Sequence, residues 1–288
     1  MIKKNIIHIL FLFLFFFSFM VLLIAFFRQD NIDIIQSYDL KEDGVHLIHQ
    51  IVDTKEVDTL KTFCERGEYK TVKKRLIDNS NLNKWIQDKL GGEYIFQDYV
   101  WIIKKSSVHT CHRDNNGDFF NENQKHPSYT LLIYLENMEK CVGVVPQSHL
   151  ERGSYGVNVT SDPLVNLLCQ PGDAVIFNAN LIHVGTINDL DDHLRIQMKI
   201  SHREDIEVLN YYQNFNKIVN EDNMIPKPVL KIQRNLSCMF PFVSDLSQGE
   251  NIRTARGSSD GAEIGFFQKI FSNVFYGSAN FYDLPNAF

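Results

Sequence analysis

His112-Arg113-Asp114 sets an imidazole and a carboxylate two residues apart. On an extended strand such side chains leave the same face, so both can reach one metal ion. A third ligand must come from elsewhere. His183, 69 positions after Asp114 and just beyond the apolar run Ala174 to Phe177, stands in a strand-like setting. Two imidazoles and one carboxylate on one face of an octahedron hold Fe(II) and leave three positions open, which suit a bidentate oxo-acid and dioxygen. Arg195 follows 12 residues later on the next expected strand. Its guanidinium can grip the distal carboxylate of 2-oxoglutarate through a paired, charge-assisted contact. Taken alone, the plainer use of Arg195 is a surface salt bridge to Asp191 or Asp192.

A lone His-x-Asp carries little weight, because on the order of one such tripeptide is expected by chance in a chain with this many histidines and aspartates. The same tripeptide opens the protein-kinase catalytic loop. Here Phe119 stands where that loop needs a metal-binding Asn, no Asp-Phe-Gly follows and no Gly-rich loop precedes, which excludes a kinase. His202-Arg203-Glu204 offers a second His-x-acid pair, but no third ligand follows it on a strand, so surface residues are the better account. His149 reads as a loop residue, and His109 and His126 as polar residues near the site or exposed. No acid pair stands out for a hydrolase.

The ordered company of the tripeptide is more specific. Gly143-Val144-Val145-Pro146-Gln147-Ser148-His149, Pro171-Gly172-Asp173-Ala174-Val175-Ile176-Phe177, and Leu181-Ile182-His183 followed by Arg195 resemble the phytanoyl-CoA dioxygenase family of iron- and 2-oxoglutarate-dependent oxygenases. The resemblance spans roughly His109 to His202. It implies a double-stranded β-helix, with His112, Asp114 and His183 as iron ligands, Arg195 as the oxoglutarate anchor, and 2-oxoglutarate and O2 as co-substrates. It also implies hydroxylation with release of succinate and CO2, because a carboxylate ligand occupies the position where a halide could otherwise bind iron. The family usually has Gly where Gln147 stands. Gly185 cannot offer the hydroxyl sometimes found there, so Thr186 is the substitute for a second oxoglutarate contact, and Thr130 could also reach it. An ordinary strand threonine is the plainer reading of Thr130. The other class of function open to the chain is an inactive jelly-roll module that binds a ligand or protein.

The elements that must position these residues are mainly β. Runs from Tyr94 to Ile103, Tyr129 to Leu135, Val142 to Val145, Ala174 to Phe177 and Leu194 to Ile200 read as strands of a sandwich or barrel. Apolar spacing predicts helices over Lys55 to Cys64 and Val72 to Leu90, with Gly91-Gly92 ending the second. The expected fold is thus a jelly roll, cupin-like, with flanking α-helices: a helical part at 29–92, an oxygenase core at 93–204 and a C-terminal extension at 205–288. In that extension Ile225-Pro226-Lys227-Pro228 and Arg256 to Gly261 read as irregular connections, and Phe266 to Phe275 as a helix with an apolar stripe that packs on the domain.

Residues 1–28 are a different kind of segment. Ile6 to Phe27 is apolar apart from His8 and Ser18, a run of 22 residues that as a helix spans roughly 33 Å, enough to cross a bilayer. It ends in Ala25-Phe26-Phe27-Arg28 with no good cleavage sequence, which favours an uncleaved signal anchor. Lys3 and Lys4 precede it and only Arg28 follows closely, a bias that keeps the N-terminus cytoplasmic and places the domain on the lumenal, periplasmic or outer side. The charges are few, and the reversed topology stays open.

The chain of 288 residues, with 44% hydrophobic and 22% charged residues, can bury a full core. A net charge of −6 gives no footprint for nucleic acid, and the run Lys70, Lys73, Lys74, Arg75 reads as a solvated helix face. The substrate class left is a small molecule or a lipid-like one. Five scattered cysteines signal neither a zinc knuckle nor a disulfide framework, though one or two bridges remain open in an oxidising compartment, and Cys111 reads as a core residue. Asn158-Val159-Thr160 and Asn235-Leu236-Ser237 are glycosylation sequons, of use only in a eukaryotic secretory route.

Overall fold

Strand alternation builds two faces into one sheet, and that division organises the domain. The computed structural model describes residues 2–28, 31–32, 38–104, 108–138, 140–151, 164–188, 193–210, 215–219, 225–240 and 266–277. The larger sheet runs β11 (Phe215–Val219), β4 (Tyr99–Ile103), β10 (Arg195–His202), β5 (Tyr129–Tyr134), β8 (Ala174–Asn178), β2 (Val45–Ile48), with β3 (Tyr94–Phe96) pairing the far end of β10. The smaller sheet runs β1 (Asn31–Ile32), β7 (Val165–Asn166), β6 (Val142–Val144), β9 (His183–Gly185). Pairing is antiparallel apart from β11 with β4 and β1 with β7. The expected strand from Tyr94 to Ile103 is two strands, interrupted at Gln97 and Asp98.

Residues of one parity, Leu131, Ile133, Ala174, Ile176, Ile196, Met198 and Ile200, face a helical layer, as two-residue periodicity requires. That layer is α2 (Thr54–Glu65), α3 (Tyr69–Ile77) and α4 (Ser80–Lys89), which supplies Val57, Leu60, Val72, Leu76, Leu82 and Ile86 to the same core. Residues of the other parity, Leu132, Tyr134, Val175 and Phe177, face Val142, Val144 and Val165 of the smaller sheet. Where the spacing predicts one helix over Val72 to Leu90, the chain forms α3 and α4. Asn79 breaks them apart because its side chain accepts from Leu82 N at 3.0 Å and caps α4. Within the Lys/Arg run on α3, Lys73 pairs with Asp98, Lys74 with Asp78 and Arg75 with Glu56.

Among the described residues beyond Arg203, one helix stands where the sequence suggests irregular chain. Irregular chain is expected at 225–228, but α5 (Lys227–Met239) begins there, with Pro226 as its N-cap and Pro228 in the first turn, where a missing N–H removes no helical bond. A further helix, α6 (Phe266–Tyr276), follows, while Arg256 to Gly261 lies outside the described residues. α1 (Ile2–Phe27) matches the apolar run with one more turn at its start, and its Ala25 is fully buried against the domain. Asn235 Nδ2 on α5 donates to Ala25 O at 2.6 Å. Asn235 is thereby 1% exposed, which closes that sequon to a glycan in the folded protein; Asn158 lies outside the described residues. Cys111 is buried as expected, but it is also bonded to Cys238 of α5 in a disulfide, a pairing that spacing did not reveal.

Two backbone positions shape the approach to the site. Gly172 has φ +93°, and a Cβ there would meet Val52 O at 2.3 Å, so the turn that launches β8 needs glycine. Gln147 adopts φ 68°, the left-handed region, at the position where the resembled family has Gly. We expect Gln147→Gly to raise stability by up to about 1 kcal/mol in chemical denaturation, the relief of αL strain exceeding the added chain entropy of glycine; a loss of stability would contradict the strain.

Candidate metal centre

Backbone pairing brings the two histidines together. His112 N donates to His183 O at 3.0 Å and His183 N to His112 O at 2.9 Å, an isolated antiparallel bridge that aligns the two side chains. Their ring centroids lie 4.2 Å apart. Asp114 N donates to Ala179 O at 2.8 Å and continues the extended segment, so His112 and Asp114 point the same way. Asp114 Oδ1 lies 3.9 Å from His112 Nε2 and 3.6 Å from His183 Nε2. These three atoms form a group able to hold one metal ion.

The donor atoms are oriented as a metal requires. His112 Nδ1 bonds Thr110 O at 2.8 Å and His183 Nδ1 bonds Leu181 O at 2.9 Å. A carbonyl can only accept, so each Nδ1 carries the proton and each Nε2 presents its lone pair to the centre. Burial lowers the pKa of both rings, His112 to about 4, and keeps them neutral. Burial alone would raise the Asp114 pKa, yet Lys199 and the two histidines hold it well below the usual carboxylate range. Lys199 Nζ sits 2.5 Å from Asp114 Oδ2 and 2.7 Å from Thr130 Oγ1, and Thr130 also donates to Oδ2. Oδ2 is therefore occupied, and Oδ1 is left for a metal.

A cavity of about 650 Å³, counting the part open to solvent, is lined by His112, Asp114 and His183. Its wall is largely apolar, with Trp101, Leu132, Met138 and Phe177, and includes Arg195, Tyr134, Gln197 and Thr186. Arg195 is 8% exposed and pairs in register with Tyr134 across β10 and β5. Its Nη1 donates to His193 O at 3.0 Å, which steadies the guanidinium within the cavity wall. The Tyr134 hydroxyl is buried and has no hydrogen-bond partner among the described residues. Burial pushes its pKa well up, so it remains a donor.

The candidate residues thus separate. His112, Asp114, His183, Arg195 and Thr186 line one cavity. Thr186 donates to Lys140 O at 2.7 Å and accepts from Asn188 Nδ2, so its hydroxyl serves the wall. Thr130 is directed at Asp114 and is not among the lining residues. The sequence reading missed Lys199 and Tyr134, although both lie on expected strands at the inward parity of Arg195 and Thr130. A second cluster, His126, His202 and Glu204, gathers at the end of β10 with the histidine rings 3.7 Å apart. There Lys125 Nζ lies 3.1 Å from Glu204 Oε2, so an ammonium already meets that charge.

No protein-family model and no curated protein matches the chain. Among solved structures, the non-heme alpha ketoglutarate dependent epimerase SnoN from nogalamycin biosynthesis aligns at TM-score 0.48 and 14% identity, over 57% of this chain and 78% of that one. AviO1 from Streptomyces viridochromogenes aligns at 0.44 and 16%, over 58% and 96%. EvdO2 from Micromonospora carbonacea, complexed with 2-oxoglutarate, aligns at 0.42 and 15%, over 60% and 92%.

Lys199→Met leaves Asp114 buried without its counter-charge. The metal-free protein should lose about 3 kcal/mol of stability, and Mn(II) or Fe(II) should restore more to this variant than to the parent; equal stability of the two metal-free proteins would refute the pairing. In the metal-free protein the unfolded chain, with histidine pKa near 6.5, binds protons at His112 and His183 that burial makes the folded chain refuse, at His112 down to about pH 4. Stability should accordingly fall on acidification through that window. Thermal melts of a His112→Gln/His183→Gln variant should show a shallower fall over the same range.

Proposed function

We propose that the protein is a membrane-anchored Fe(II)- and 2-oxoglutarate-dependent dioxygenase of the phytanoyl-CoA dioxygenase type, hydroxylating a small-molecule or lipid-like substrate. The observation that carries this reading is the convergence of His112 Nε2, His183 Nε2 and Asp114 Oδ1, with both Nδ1 atoms fixed on carbonyls, beneath a cavity that also holds a buried arginine. Two imidazoles and one carboxylate are the donor set for non-haem Fe(II). The two sheets meeting across the cavity are compatible with a double-stranded β-helix.

Bound there, the iron would supply the redox chemistry that couples oxidation of 2-oxoglutarate by O2, giving succinate and CO2, to hydroxylation of substrate. The chain's own work is placement. Arg195 is suited to pair with the distal carboxylate of 2-oxoglutarate, and the unpartnered Tyr134 hydroxyl, on the adjoining strand, to donate to the same group. Thr130 and Lys199 fix which oxygen of Asp114 faces the iron. Trp101, Leu132, Met138 and Phe177 keep water from the reacting atoms. An inactive binding module would have no use for paired, tautomer-fixed histidines beside a charged carboxylate.

The anchor is α1, whose segment Leu10–Phe27 has mean hydropathy 2.9 and is long and apolar enough to cross a membrane. Its orientation is supported from two sides. Lys3 and Lys4 favour a cytoplasmic N-terminus, and the Cys111–Cys238 bond suits an oxidising compartment, which supports a domain on the lumenal, periplasmic or outer side.

Anaerobic titration of the metal-free protein with Fe(II) and 2-oxoglutarate should give a metal-to-ligand charge-transfer band, and admission of air should form succinate. His112→Ala should abolish the band. Arg195→Ala should weaken 2-oxoglutarate binding by roughly 30-fold, about 2 kcal/mol, and Tyr134→Phe by roughly fivefold, about 1 kcal/mol. A parent protein with neither band nor succinate would leave only the binding-module reading.

A further inference from the structure

α5 packs beside the last turns of α1, where Ala25 is fully buried and the Asn235 amide holds Ala25 O. If those turns lie in a bilayer, no stalk separates membrane from domain, and the layer formed by α5 must rest at the membrane surface. α6 belongs to that layer, since Gln233 Nε2 of α5 donates to Val274 O at 2.9 Å. It turns Phe271, Ser272 and Tyr276 inward. Its outward arc carries Phe266, Ile270 and Val274, exposed by 71%, 45% and 57% and spaced four residues apart, so they form one apolar stripe. Val229 of α5 and Phe240, which follows that helix, are exposed apolar residues of the same layer. A soluble face would not repeat large apolar side chains at helical spacing, and the bilayer interface is the partner already tethered beside it.

The same layer grips the edge of the metal site. His109 Nε2 bonds Gln233 Oε1 at 3.0 Å, Thr110 Oγ1 bonds Tyr276 OH at 2.5 Å, Cys111 N donates to Ser237 Oγ at 2.8 Å, and Cys111 is disulfide-bonded to Cys238. These residues run directly into His112, and Val108 before them lines the cavity. We propose that α5 and α6 form a membrane-docking surface, with Phe266, Ile270 and Val274 seated in the bilayer interface, and that this surface holds the His112 segment and the cavity edge against the membrane. The proposal rests on α1 being a membrane anchor.

The test uses the full chain in phosphatidylcholine nanodiscs, with bimane on Ile270→Cys or, as reference, on Lys70→Cys of α3; Cys64, Cys141 and Cys169 are buried and do not compete. Brominated lipid should quench the Ile270 label at least threefold more than the Lys70 label. Alkaline carbonate extraction of membranes reports separately on α1. An Ile270 label that stays unquenched in a protein resisting extraction overturns the docking surface and leaves the anchor standing. A protein released by carbonate overturns both. As a second measurement, Ile270→Asp/Val274→Asp, on exposed positions that leave the fold intact, should abolish the quenching difference at a label on Phe266→Cys; unchanged quenching there also counts against the proposal.

Discussion

The reciprocal hydrogen bonds between His112 and His183 are the contact around which the rest of the site is arranged. A two-residue bridge is too short to hold its own register, so both partners must be fixed by what flanks them. His183 is fixed by β9, which pairs with β6 through Val144 and His183. The His112 side has no named strand of its own. It is fixed by Asp114 N on Ala179 O in one direction and by the C-terminal helices, through Thr110 and Cys111, in the other. The stretch beyond Arg203 thus takes part in placing His112 through contacts that span 126 and 166 positions of the sequence.

Charge constrains the centre as firmly as backbone geometry does. Asp114 is deeply buried, and a carboxylate so placed needs a counter-charge and hydrogen bonds to remain ionised. Lys199 and Thr130 provide both at one oxygen, which leaves the other oxygen directed at the histidines. With Lys199 neutralising Asp114, a bound divalent cation and Arg195 would make the cavity positive, a setting that attracts a dicarboxylate.

Much of this was legible in the sequence because it depends on local order. His-x-Asp on an extended segment, Pro171-Gly172-Asp173 before a buried strand, and an arginine one strand later are features that period two and turn chemistry carry in the residues themselves. The apolar length of α1 is equally local. The helix break at Asp78-Asn79 was missed because apolar spacing continues through it, although Asn79 is a good cap. The start of α5 was missed because two prolines resemble a loop until the first is seen to cap and the second to sit in the first turn.

What the sequence determined by itself is the set of donors and their parity: which side chains leave one face of each strand, and therefore which could meet. Only the tertiary structure decided which ones do. Cys111 with Cys238, Lys199 with Asp114, and Tyr134 beside Arg195 join residues separated by 127, 85 and 61 positions. No local pattern encodes such pairings, because they are set by sheet register and by how the helices close on the sheets. The same physics gave Gln147 its left-handed backbone and directed the hydroxyl of Thr130 to Asp114 instead of the cavity.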